Sequence, residues 1–156
     1  MTDVNAYLGR INYRDSTTAN LNTLRAIHRA HLLTVPFENL DIALGRKIAL
    51  DEEALTRKIV ERRRGGFCYE LNGAFAALLR SRRFHVSLLS ARVARNEGEG
   101  PEFDHLCLRV DLDEPWLVDV GFGESFLEPL RLQTKVDQSD PGWHFPNRAK
   151  RRSGAT

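Results

Sequence analysis

Too few cysteines are present for a disulfide framework: the 156-residue chain has two, at 68 and 107. Two thiols in no pairing pattern suit a reducing compartment, so the cytoplasm is the expected location. No C-x-x-C and no H-x-x-x-H pair occurs, and no zinc site of ordinary spacing is expected, although Cys68, Cys107, His105 and Asp119 could be drawn together on paper. No metal is implied. Apolar runs are short as well, none approaching the roughly 18 residues that cross a bilayer. The N-terminus, MTDVNAYLGRINYRD, has neither a basic start nor an apolar centre, so it does not read as a signal peptide, and no membrane partner is expected. G-x-x-x-x-G-K-[ST] is missing, as is G-x-G-x-x-G opening a helix, which argues against the usual phosphate cradles. No basic stripe with interleaved aromatics marks the chain, so nucleic acid is not an expected partner. The net charge of +2 owes much to Arg148, Lys150, Arg151 and Arg152; without those four cations the body carries −2. Residues 146–156 therefore read as a basic, disordered tail.

What is present reads as a globular protein, 42% hydrophobic and 28% charged. The first half is helical in pattern. Ser16 or Thr17 can cap a segment in which Leu21, Leu24, His28, His31 and Leu32 recur at helical spacing, and Pro36 ends it. Asp51-Glu52-Glu53 opens a second helix with Leu55, Ile59 and Val60 on one stripe, broken by Gly65-Gly66. A third is predicted over 68–82, with Leu71, Phe75, Ala76, Leu78 and Leu79 inward. After Phe84 the period changes to that of strands, at 85–93, 105–112 and 116–120, the last two joined as a hairpin by Asp113-Glu114-Pro115. The expected fold class is α+β. A helical bundle over 1–84 precedes an incomplete, antiparallel, barrel-like sheet over 85–145, with a Cys/His/Asp core like that of cysteine proteases. Three strands cannot close a barrel, so apolar surface from Leu106, Leu108, Val110 and Val118 is expected to be exposed and self-association through a sheet edge is anticipated.

The chemistry centres on Arg62-Arg-Arg-Gly-Gly-Phe-Cys68-Tyr-Glu-Leu-Asn72. A cysteine directly after two glycines, opening a helix, meets the positive end of the helix dipole, which stabilises a thiolate. Cys68 is the candidate nucleophile. Such a thiolate needs a base, and the base needs an orienting carboxylate; His105 and Asp119 lie on neighbouring predicted strands and can supply both. Cys107, mid-strand and without glycine or arginine beside it, should behave as a buried thiol. Glu38 is available to pair with an arginine ahead of Cys68, and Phe37, Phe122 and Phe126 to line an apolar pocket.

Taken together these motifs resemble the arylamine N-acetyltransferase family. The resemblance rests on Tyr7-Leu-Gly-Arg-Ile11, Pro36-Phe-Glu-Asn-Leu40, Arg64-Gly-Gly-Phe-Cys68 with Glu70-Leu-Asn72, Asp104-His105, and Val118-Asp-Val-Gly-Phe-Gly123, all in family order. It implies a catalytic triad of Cys68, His105 and Asp119, and ping-pong transfer of acetyl from acetyl-CoA to an arylamine or arylhydrazine in xenobiotic metabolism. It further implies a structural pair Arg64–Glu38, and an acceptor pocket near Phe37, Phe122, Glu124 and Phe126. Family members are longer, with a third, lid domain for which this sequence has no counterpart. A cysteine hydrolase or transglutaminase-like acyl transferase uses the same three residues and stays open at this point, as does an inactive remnant.

Overall fold

Asp3 starts the first helix, its carboxylate accepting the Ala6 N–H at 3.1 Å, and α1 runs Val4–Arg10. The computed structural model describes residues 3–96, 98–141 and 144–145; the tail expected over 146–156 lies outside them. Helical periodicity read from residue 16 onward had not indicated α1, yet it carries a structural pin. Arg10 is buried, and its guanidinium donates to Ile59 O (3.0 Å), Thr34 O (2.9 Å) and Arg63 O (3.4 Å). One side chain thereby holds the end of the second helix against the segment that leads to Cys68.

That second helix, α2, is Leu21–Thr34. Its cap is Asn20, whose side-chain oxygen accepts the Thr23 N–H at 2.9 Å, and not Ser16 or Thr17 as the sequence suggested. Ser16 is occupied elsewhere, its carbonyl taking the Tyr13 hydroxyl at 2.6 Å. Val35 is extended, as a residue before proline must be, and the helix stops at Thr34. A single short turn, α3 (Leu40–Ala43), follows. Asp51 caps α4 (Glu52–Thr56), which widens into a π-helical turn over Arg57–Glu61. After the glycine pair comes α5, Cys68–Ser81. Leu71, Phe75, Ala76, Leu78 and Leu79 are all buried on it, as expected. Each of the large ones contributes about 1.5–3 kcal/mol by leaving water.

The sheet is fully antiparallel, in the order β1 (His85–Ala91), β4 (His105–Asp111), β5 (Pro115–Val118), β6 (Leu130–Arg131). Two short ribbons accompany it: β2 (Ala94–Arg95) with β3 (Gly98–Glu99), and β7 (Gln138–Ser139) with β8 (His144–Phe145). The expected hairpin of residues 105–120 is present, with Leu108 opposite Val118. Four strands stand where three were read, because β6 pairs Leu130 with Leu117. Among the described residues no closed barrel forms.

One expectation is overturned. Leu106, Leu108, Val110 and Val118 are buried rather than exposed. Helix α5 lies across that face of the sheet, contacting both β1 and β4. One hydrophobic core therefore runs from Tyr7 and Leu24 through Phe75 and Leu79 to Leu108, Trp116 and Val120.

Candidate active site

Two glycines let the loop before Cys68 lie flat against its neighbour. A Cβ at Gly65 would stand 1.9 Å from the Pro36 carbonyl oxygen, closer than any atom can sit. Gly66 then bridges to Phe37, and its carbonyl accepts the Glu38 N–H at 2.9 Å. Phe67 is the extended residue before α5, and its N–H donates to Glu70 Oε2 at 3.2 Å. Cys68 is thus the first residue of α5, buried but for 8% of its surface. Its position among the unpaired N–H groups of a helix start follows from the glycine break and not from its own side chain.

His105 opens β4. Its Nε2 donates to Asp119 Oδ2 at 2.6 Å, and the Cys68 thiol is its other hydrogen-bonding neighbour. The hairpin register explains the meeting. Extending it past Leu108–Val118 sets Cys107 opposite Asp119, so His105 reaches Asp119 on the diagonal of the same face. Burial alone would lower the His105 pKa; the hydrogen bond to Asp119 and then the contact with Cys68 outweigh it and raise the value to about 9. His105 is therefore an imidazolium at neutral pH, a cation held next to the Cys68 sulfur. Cys107 shares the face, but burial first, then the nearby Asp119 and Cys68, push its thiol up to about 11. It stays protonated.

The carboxylate is itself held. Asn72, fully buried one turn after Cys68, donates from Nδ2 to Asp119 Oδ1 (2.9 Å) and to Leu106 O (2.7 Å), while its oxygen accepts the Val120 N–H (3.0 Å). The Gly121 N–H adds a second donor to Asp119 Oδ1 at 2.9 Å. A Cβ at Gly121 would come within 2.7 Å of Cys68 Cα, so only glycine lets this segment touch the first turn of α5. From behind, His28 places Nδ1 2.9 Å from Leu127 O, and Nε2 3.1 Å from Asp119 O and 3.4 Å from Asp119 N. Burial holds His28 below its ordinary pKa, outweighing the opposing backbone contacts with Leu127 and Asp119. Neither Asn72 nor His28 was singled out from sequence as a site residue. The spacing Cys68–Asn72 of four residues, which puts both on one helix face, was the available signal.

Beside His105 opens a cleft of about 360 Å³, lined by Val93, Cys107, Leu117, Phe122, Glu124 and Phe126 among others. Phe122 meets the His105 ring edge-on, centroids 5.1 Å apart, and Phe126 stacks on His28 at 5.7 Å. Glu124 is exposed at the margin. Phe37 is not among the lining residues; its half-exposed ring lies over Gly123. Arg64 Nη2 stands 2.9 Å from Glu38 Oε1, and its Nη1 also reaches Asp41 Oδ2 at 3.0 Å. That second contact holds the Asp41 carboxyl well below the usual carboxylate range, after a still larger contribution from Lys58. Among the described residues no helix is long and apolar enough to cross a membrane.

Comparison with known proteins matches residues 20–154 to the family model described as N-acetyltransferase. The arylamine N-acetyltransferase of Escherichia coli (strain K12) is 43% identical over 141 residues, covering 88% of this chain and 50% of that protein. The solved arylamine N-acetyltransferase of Salmonella typhimurium superposes with a TM-score of 0.86 at 42% identity, over 92% of this chain and 54% of that one. That of Mycobacterium marinum, solved in complex with CoA, superposes with a TM-score of 0.82 at 41% identity, over 88% and 53%. The chain spans about half the length of the relatives it matches. With a family match across most of its residues and close relatives over nearly all of them, the chain belongs to the arylamine N-acetyltransferase family.

Proposed function

We propose that this chain carries an acetyl-transfer site in which acetyl-CoA is the donor, an arylamine or arylhydrazine the acceptor, and Cys68, His105 and Asp119 the catalytic residues. The observation that carries the reading is the placement of Cys68 at a helix start beside an imidazolium that is hydrogen-bonded to a buried carboxylate. In the first half-reaction the Cys68 thiolate attacks the thioester carbonyl. The carbon–sulfur bond to coenzyme A breaks, and the departing thiolate takes the proton of His105. Cys68 is left as the acetyl thioester and His105 neutral. In the second, the amine nitrogen attacks that carbonyl while His105 removes a proton from it. Cys68 departs as thiolate, which restores the ion pair. Asp119, tied to Asn72 and Gly121, keeps Nε2 of His105 engaged so that the other nitrogen faces the sulfur.

The cleft beside His105 is mostly apolar and of a size for one aromatic ring, which favours an aryl acceptor seated on Phe122 and Phe126 with Glu124 at the margin. We read residues 1–84 as the part that brings the nucleophile and 85–145 as the barrel-like part that brings its partners. Both cysteines are free, which suits a cytoplasmic location. The test is intact mass after incubation with acetyl-CoA. One acetyl group is expected, absent from Cys68→Ala and removed by an arylamine. Discharge by water alone would make the protein a hydrolase, and no adduct from acetyl-CoA or from an activated aryl ester would overturn the reading.

A further inference from the structure

Beneath the nucleophile's helix lies a cluster of charges that the transfer chemistry does not use. Lys58, on the π-helical turn, is almost buried and places its Nζ 2.8 Å from both oxygens of Glu70, 2.9 Å from Asp41 Oδ2 and 3.9 Å from Glu38 Oε1. Glu70 stands in the first turn of α5, its side chain 4% exposed, and takes the N–H of Phe67, the residue before Cys68. A carboxylate there stabilises the helix start, but the same negative charge opposes a thiolate two residues earlier. The cation that answers it comes from outside α5.

We infer that Lys58 is a positioning residue for Cys68: by neutralising the buried Glu70 carboxylate it lets Glu70 brace the helix start without discharging the field that favours the thiolate. The inference rests on Cys68 being the nucleophile. The other charged groups around the pair are Asp41 and Glu38, each shared with Arg64, and Lys47, Arg57 and Arg62, which line the same cavity; the titratable groups that interact with Cys68 are His105, itself bound to Asp119, and Cys107. Lys58 holds its proton, its pKa kept above the ordinary lysine value: burial opposes this, and the contacts with Asp41 and Glu70 outweigh burial.

The test is the pH profile of Cys68 alkylation by iodoacetamide in the full chain with Cys107→Ala, so that one thiol reports. Lys58→Met leaves Glu70 bare, and the profile moves up by about one pH unit, roughly tenfold slower on its acid limb. Glu70→Gln keeps the acceptor for Phe67 but removes the charge, and the profile moves down. Lys58→Met/Glu70→Gln returns to within about threefold of the parent, and Lys58→Arg stays with it. If Lys58→Met does not fold, Glu70→Gln and Lys58→Arg carry the comparison. Two single variants that both slow alkylation, or neither of which moves it, overturn the inference, since a merely structural role gives effects of the same sign. A parent that alkylates like a free cysteine would instead overturn the proposed nucleophile, while opposite shifts relative to that parent would still support the electrostatic role of Lys58.

Discussion

Asn72 makes three hydrogen bonds and each lands on the segment that carries Asp119 or on the strand that carries His105. Replacing it with alanine strips Asp119 Oδ1, the Leu106 carbonyl and the Val120 N–H of a partner at once, at a fully buried position. The carboxylate then loses its fixed orientation, and with it the direction in which His105 faces Cys68. We expect Asn72→Ala to lower the rate of Cys68 acylation by on the order of 10–100-fold, the scale seen when groups that orient a reactive ligand are removed. Single-turnover acylation with an activated aryl ester, in a variant shown to be folded, measures it; an unchanged rate would remove Asn72 from the machinery. The residue was legible in the sequence only as part of Glu70-Leu-Asn72. Its partners are 34, 47 and 48 positions away along the chain, and no spacing rule reaches that far.

Helix α2 carries an uncommon stripe: His28 and His31, both fully buried, face α5. His28 is satisfied by the Leu127 and Asp119 backbones, whereas both ring nitrogens of His31 lack a partner among the described residues. His31 packs edge-on against Phe75 at 5.2 Å. Burial first, then the neighbouring His28 and Arg10, lower its pKa to about 3. The sign follows directly. A histidine that resists protonation in the fold gives its full stability above its unfolded pKa near 6.5 and loses it as pH falls toward 3. His105 works the other way, its contribution complete below about 6.5 and lost as pH rises through about 9. We therefore expect His31→Leu to shift the acid unfolding midpoint to lower pH, followed by circular dichroism. An unmoved midpoint would place the acid sensitivity in other groups. The helical period marked these histidines as inward but could not show that one is paired and the other is not.

Across the whole molecule a single core joins what the sequence divides. The change from helical to strand period at Phe84 is a division of secondary structure, while α5 seals the sheet and Phe84 itself is buried in the shared core. Unfolding should accordingly be one transition. In urea, far-ultraviolet dichroism for the helices and Trp116 fluorescence for the sheet, read in a Trp143→Phe background, are expected to give one midpoint. Two separated midpoints would restore a boundary near residue 84. The burial of Leu106, Leu108, Val110 and Val118 also removes the exposed apolar face from which self-association was argued, leaving β1 and β6 as the edge strands of the sheet among the described residues.

By itself the sequence determined the order and kind of the main elements, the break at Gly65-Gly66, the start of α5 at Cys68 and the hairpin of β4 and β5. Each depends on a local period, a cap or a turn. It also marked Cys68, His105 and Asp119, because a thiol at a helix start and two polar residues on facing strands are chemically conspicuous. Only the tertiary structure decided that Asn72 and His28 hold Asp119, that Arg10 and Lys58 brace the loop and helix that carry Cys68, and that Phe126 but not Phe37 lines the cleft. Those contacts join segments far apart in the chain, and they exist because α5 packs across the sheet and brings them within a hydrogen bond of one another.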